Sequence, residues 1–90
     1  MSTIKMSLTD KHTVFDIPGF GQLLALRYTK PYTLSRIIDY TDYTVCYERR
    51  TTDGELEEEC VDLSECLQQL GFPKDNVARI LGGVEDVELA

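Results

Sequence analysis

Ninety residues are enough for one small domain, 1–90, and a hydrophobic share of 42% marks a folded chain, not a disordered one. A formal net charge of −7 sets the chain against polyanions, so direct binding of DNA or RNA is disfavoured. No apolar run is long enough to span a bilayer, and Met1 to Asp10 lacks the apolar core and small-residue cleavage site of a secretory signal. No membrane partner and a cytoplasmic address are therefore expected.

The charge is unevenly divided. Residues 1–50 hold seven bases and five acids, a net of +2, while residues 51–90 hold two bases and eleven acids, a net of −9. Such asymmetry predicts a negative face that repels phosphates and attracts basic surfaces.

In chain order, Ile4, Met6 and Leu8 alternate with Lys5, Ser7 and Thr9, which predicts a half-buried strand. Thr9 to His12 supplies a turn, with His12 as a solvated tip, and Thr13 to Ile17 resumes the alternation with Phe15 and Ile17 inward. Pro18-Gly19-Phe20-Gly21 breaks the pattern. Its two glycines lack the third glycine and the helix start of a phosphate loop, so it reads as a turn. Leu23 to Tyr28, closed by Lys30-Pro31, predicts a third strand. For Tyr32 to Tyr40, β-branched and aromatic content favours a strand, although Leu34, Ile37 and Ile38 also fit a helical face. Asp39 and Asp42 suit a turn that leads into Tyr43 to Arg50, where Tyr43, Val45 and Tyr47 mark a strand.

Asp53-Gly54 is a strong signal for a two-residue type I′ hairpin. That turn sets Thr52 opposite Glu55, Arg50 opposite Glu57, Arg49 opposite Glu58, Glu48 opposite Glu59 and Tyr47 opposite Cys60. Glu57 and Glu58 are then neutralised by arginine, while Asp53, Glu55 and Glu59 keep their charge outward. Asp62 fits a helix N-cap with Glu65 three residues on. Leu63, Cys66, Leu67 and Leu70 form one apolar stripe, Gly71 sits at a left-handed C-terminal position, and Phe72 folds back on Leu67. Pro73 opens a second helix, Lys74 to Leu81, ended by Gly82-Gly83. Residues 84–90 are open between an edge strand, a helical turn and a tail. The expected fold is α+β: a small antiparallel sheet of four to six strands in hairpins, covered on one face by two short C-terminal helices.

Three cysteines, Cys46, Cys60 and Cys66, with no export signal, predict reduced thiols packed as small apolar groups. A zinc site would need a fourth ligand, His12 is the only histidine, and the spacing suits no paired motif, so no metal is expected. Neither a serine in a nucleophile elbow nor a Cys–His pairing is present. Carboxylates for sugar chemistry would need a cleft that this length can hardly build. No catalytic residue and no cofactor are predicted.

Two features point toward partners. Seven carboxylates (Asp53, Glu55, Glu57, Glu58, Glu59, Asp62, Glu65) fall within thirteen positions, and all five tyrosines (Tyr28, Tyr32, Tyr40, Tyr43, Tyr47) fall within twenty. Acidic residues serve as a solvated, aggregation-resistant edge in one reading. In the other, Asp53, Glu55, Glu57, Glu59, Asp62 and Glu65, with Tyr40, Tyr43 and Tyr47 as ring anchors, dock on a basic groove. The chain would then be a non-enzymatic binding protein that occludes the nucleic-acid-binding surface of a nucleic-acid-handling partner. In size and charge this build is similar to phage-encoded anti-CRISPR and other anti-defence proteins, which would place it in a host cytoplasm. A structural or adaptor subunit, or a homodimer, is compatible with the same features.

A separate stretch, Leu67-Gln68-Gln69-Leu70-Gly71-Phe72-Pro73 followed by Val77-Ala78-Arg79-Ile80-Leu81, resembles the first two helices of ubiquitin-associated domains. That resemblance implies ubiquitin binding through Leu70-Gly71-Phe72 and a third helix. The family's usual loop and full third helix have no counterpart here, since only seven residues follow Gly82-Gly83.

Overall fold

The computed structural model describes residues 2–9, 11–27 and 32–90. Asp10 in the first expected turn, and Tyr28 and Lys30-Pro31 at the expected close of the third strand, lie outside the described residues. Elements follow in the order β1 (Ser2–Leu8), β2 (His12–Ile17), β3 (Gly21–Arg27), β4 (Tyr32–Thr41), β5 (Thr44–Thr51), β6 (Leu56–Asp62), α1 (Leu63–Gln69), α2 (Lys74–Leu81) and β7 (Val84–Leu89). The fold is α+β, with two short helices near the C-terminus. Its strands divide into a four-stranded sheet, β3-β2-β1-β7, and a three-stranded sheet, β4-β5-β6. All pairings are antiparallel except β1 with β7, which is parallel. A parallel return needs a long crossover, and here the other strands and both helices lie between β1 and β7.

The inner faces of the two sheets share one core. Ile4, Met6, Phe15, Ile17, Leu23 and Val87 come from the larger sheet, and Val45, Tyr47 and Val61 from the smaller. Strand alternation sends these residues inward, as in Val45 and Tyr47 of β5. The layers are also joined by a polar contact: Thr13 Oγ1 and the Tyr47 hydroxyl are hydrogen-bonded at 3.0 Å, and both residues are buried. Leu63 and Leu67 of α1 and Val77 and Leu81 of α2 complete the same cluster. Burying side chains of this kind contributes about 1.5–3 kcal/mol each.

β4 is a strand throughout, and β-bulges fit it to its neighbour. Leu34 faces Arg49 while Arg36 faces Glu48, and Ile37 faces Tyr47 while Asp39 faces Cys46, so Ser35 and Ile38 are extra residues. These insertions keep Leu34, Ile37 and Tyr40 against the core and break the pure alternation that otherwise marks a strand. The helical pair follows its sequence signals. Asp62 Oδ1 accepts a 3.1 Å bond from the Glu65 amide at the start of α1. At its end the Phe72 amide donates to Leu67 O at 3.2 Å and the Gly71 amide to Gln68 O at 2.9 Å, with Gly71 at φ 99. This is the Schellman arrangement.

The segment after Gly83 is a strand in the larger sheet, not a third helix. The Phe72 ring turns to Phe20, edge-on with centroids 5.1 Å apart. The three-helix arrangement implied by the ubiquitin-associated resemblance is therefore absent, because Val84 and Val87 are used to extend the sheet beside Ser2 and Ile4.

Candidate functional site

The β5–β6 hairpin sets the geometry of the acidic stretch, and its turn differs from the expected one. The Thr51 amide donates to Glu55 O and the Gly54 amide to Thr51 O, each at 3.0 Å, so the loop is Thr52-Asp53-Gly54. Gly54 takes φ 85, the left-handed residue that ends a three-residue loop. One residue more in the loop shifts the register by one. Arg50 faces Leu56, Arg49 faces Glu57, Glu48 faces Glu58, Tyr47 faces Glu59 and Cys46 faces Cys60. A shift of one residue moves every side chain to the other face of the ladder.

The carboxylates are therefore partitioned differently from the sequence expectation. Glu57 and Glu59 point to the inner face with Tyr47 and both engage Arg49. Arg49 donates from Nη2 and Nε to Glu57 Oε2 at 2.7 and 2.9 Å, and from Nη1 to Glu59 Oε2. Its side chain is only 18% exposed, so this charged group closes the inner layer beyond Tyr47. Glu59, expected to be free, is committed. Glu58, expected to pair with Arg49, instead faces solvent opposite Glu48. The like charge there is relieved because Arg36 grips Glu48 through Nε at 2.8 Å and Nη2 at 3.2 Å.

Cys46 and Cys60 form a disulfide across the hairpin, with Cα atoms 4.0 Å apart. This corrects the expectation of three reduced thiols; Cys66 alone is a free cysteine among the described residues. The register supplies the reason, since the two cysteines are directly opposed on the outer face. A signal was present in the alternation: the three-residue turn pairs Val45 with Val61, whereas the two-residue turn pairs buried Val45 with Asp62. Burial raises the Cys66 thiol above its ordinary pKa, and the nearby Asp62 and Glu65 add to that.

The tyrosines separate into different roles. Tyr47 is fully buried and hydrogen-bonded to Thr13, which removes it as a surface anchor. Tyr40 and Tyr43 are half-buried against the core. Tyr43 and Asp42 both have positive φ, 65 and 49, and form the two-residue turn between Thr41 and Thr44. The Tyr40 hydroxyl is sealed from solvent and has no hydrogen-bond partner among the described residues. Burial, then Tyr43 and Asp86, push its ionisation above the usual phenol value.

On the outer face of the smaller sheet the disulfide is surrounded by acids. Asp39 faces Cys46 from β4, Glu48 and Glu58 lie on one side, and Asp62 lies beyond Cys60. Glu55 at the loop and Glu65 in the first turn of α1 are exposed, as is Asp53 at the loop tip. No group of three or more histidine, cysteine or acidic side chains converges as a metal site among the described residues. No described helix is long and apolar enough to cross a membrane. Comparison with known proteins returned no match: no family model, no curated protein and no solved structure is similar to the chain at a significant level.

Proposed function

We propose that the chain is a non-enzymatic binding protein whose acidic outer face docks on a basic surface of a nucleic-acid-handling protein and occludes it. The observation that supports this reading best is the partition of the acidic run. Glu57 and Glu59 serve the fold through Arg49, while Glu58, Asp62 and Asp39 remain on an exposed β-face. The β5–β6 ladder fixes the spacing of these carboxylates, with the Cys46–Cys60 disulfide at its centre. A rigid array of carboxylates is preorganised for arginine and lysine, so little side-chain ordering opposes docking. Glu55, Asp53 and Glu65 are further exposed carboxylates of the same stretch, and Tyr43 lies in the β4–β5 turn. An anti-defence role in a host cytoplasm belongs to the same proposal. In that reducing compartment Cys46 and Cys60 would be opposed thiols, with the β5–β6 ladder retaining the register.

The test is capture of partners from host-cell extract with the wild-type chain and with a Glu55→Lys, Glu58→Lys, Glu65→Lys variant. The wild type should retain a basic nucleic-acid-binding protein at low salt, release it at high salt, and displace nucleic acid from the purified partner. The variant should do neither while keeping its circular dichroism. Retention of the same partner by the charge-reversed variant would refute the reading. Glu57 and Glu59 are left unchanged because their loss would confound binding with stability.

A further inference from the structure

The disulfide between Cys46 and Cys60 lies outside the core, on the outer face of the smaller sheet. Cys60 is exposed and Cys46 half-buried, so an incoming thiol meets Cys60 first. A buried disulfide is closed to small thiols, whereas an accessible one is open to exchange. Cys66 packs against the core from α1, so the pair has no third thiol beside it on this face among the described residues.

The surroundings of the pair are mostly of one sign. Asp39 is directly opposite Cys46 from β4, Glu48 follows Cys46 on the same face of β5, and Glu58 and Asp62 flank Cys60 on the same face of β6. Opposed side chains lie about 5 Å apart, and same-face neighbours along a strand about 7 Å apart. Both spacings fall inside the Debye length of about 8 Å at physiological salt. Two bases share the face. Arg36 is bound to Glu48 through Nε and Nη2, and Arg50 lies farther along, opposite Leu56, where it reaches Gly54 O. Asp39, Glu58 and Asp62 therefore leave the disulfide in a net negative field.

We propose that Cys46 and Cys60 form a reversible dithiol–disulfide couple whose neighbouring carboxylates select the reductant by charge, admitting thiols with a cationic group and holding off anionic ones. A thiolate attacks the Cys60 sulfur, the sulfur–sulfur bond breaks, and Cys46 leaves as a thiolate that takes a proton from solvent. A second thiolate then attacks the reductant's sulfur in the mixed disulfide and releases Cys60, which is protonated in turn. The reductant is oxidised to its own disulfide, and the electron pair it gives up leaves both cysteines as thiols. The carboxylates disfavour the departing Cys46 thiolate, which slows every reductant alike. They also repel an approaching anion, and this second effect discriminates. The β5–β6 ladder continues on both sides of the pair, so exchange leaves the fold and the acidic face in place. The couple needs the charges of that face and not the partner proposed for it.

Reduction of the oxidised full chain by cysteamine, mercaptoethanol and mercaptoethanesulfonate, read by alkylation and mass spectrometry, tests the proposal. Their thiolates are net neutral, singly anionic and doubly anionic. Rates taken per thiolate, relative to a small uncharged disulfide, remove differences in nucleophilicity. Cysteamine should be fastest and the sulfonate slowest, with a spread of about tenfold at low salt that closes at high salt. Asp39→Asn with Glu58→Gln should narrow the spread to about twofold. Asp16→Asn, an exposed position in the other sheet, should leave it unchanged. Rates that follow nucleophilicity alone, a spread that survives the double variant, or failure of Cys46 and Cys60 to pair under an oxidant would overturn the proposal.

Discussion

The two hairpins of the smaller sheet turn in opposite ways to what their residues suggest. Asp53-Gly54 has the preferred composition of a two-residue type I′ turn, yet it lies within a three-residue loop. Asp42-Tyr43 lacks the glycine, yet it adopts positive φ at both positions and makes the two-residue turn. The difference shows which constraint is stronger. A non-glycine residue in the left-handed region costs on the order of 1 kcal/mol, whereas the wrong β5–β6 register would turn either Val61 or Val45 and Tyr47 away from the core, at about 1.5–3 kcal/mol each. Packing decides the register, and the turn accommodates it.

The largest effect should come from the core residue whose facing depends on that register. Tyr47→Ala is expected to cost about 3–5 kcal/mol in chemical denaturation. Tyr47→Phe should cost about 1 kcal/mol through the lost bond to Thr13, while Tyr40→Phe, which removes an unpartnered hydroxyl, should be neutral or slightly stabilising. Equal effects of the two Phe substitutions would contradict the roles assigned to these tyrosines. Next, replacing both Cys46 and Cys60 by alanine should lower stability by about 2–3 kcal/mol relative to the oxidised protein, the range for a loop of this length. Denaturation with and without reductant should show the same difference.

The adjacent arginines sharpen the comparison further. Arg49→Ala is expected to cost about 1–2 kcal/mol, because two half-buried carboxylates lose their partner. Arg50 is exposed and among the described residues reaches only Gly54 O, at 3.3 Å, so Arg50→Ala should stay within about 0.5 kcal/mol. A two-residue turn would set Arg50 opposite Glu57, so a loss at Arg50 as large as that at Arg49 would contradict the three-residue loop. The two turns should differ in the same way. Gly54→Ala should cost about 1 kcal/mol, since its φ of 85 suits glycine and nothing crowds the position. Asp42→Asn should change stability by no more than a few tenths of a kcal/mol.

Elements with strong local signals were legible from the residues alone. The alternations in β1, β2 and β5, the Asp62 cap and the Gly71 stop are each decided within a few positions, and the structure has each of them. The division into two sheets was not legible, because it depends on where β7 docks, and Val84 to Leu89 carries equal signals for several states. The disulfide and the fate of Glu59 were hidden for a related reason. Both depend on one residue of register, and dipeptide preference at Asp53-Gly54 outweighed the alternation of Val45, Tyr47 and Val61 in the sequence reading. Among the proposed contact residues, Glu55, Asp62 and Glu65 are exposed as expected, while Tyr47 is withdrawn into the core and Glu57 and Glu59 turn to Arg49.

The register of β5 on β6 underlies the core, the acidic face and the disulfide alike, and cross-strand NMR contacts read it directly, whatever the redox state. Opposed residues with Cα atoms 4.0 Å apart bring their Hα protons into close contact. A strong Hα–Hα cross-peak between Cys46 and Cys60 is the predicted result. A cross-strand contact of Cys60 with Tyr47 in its place would contradict it.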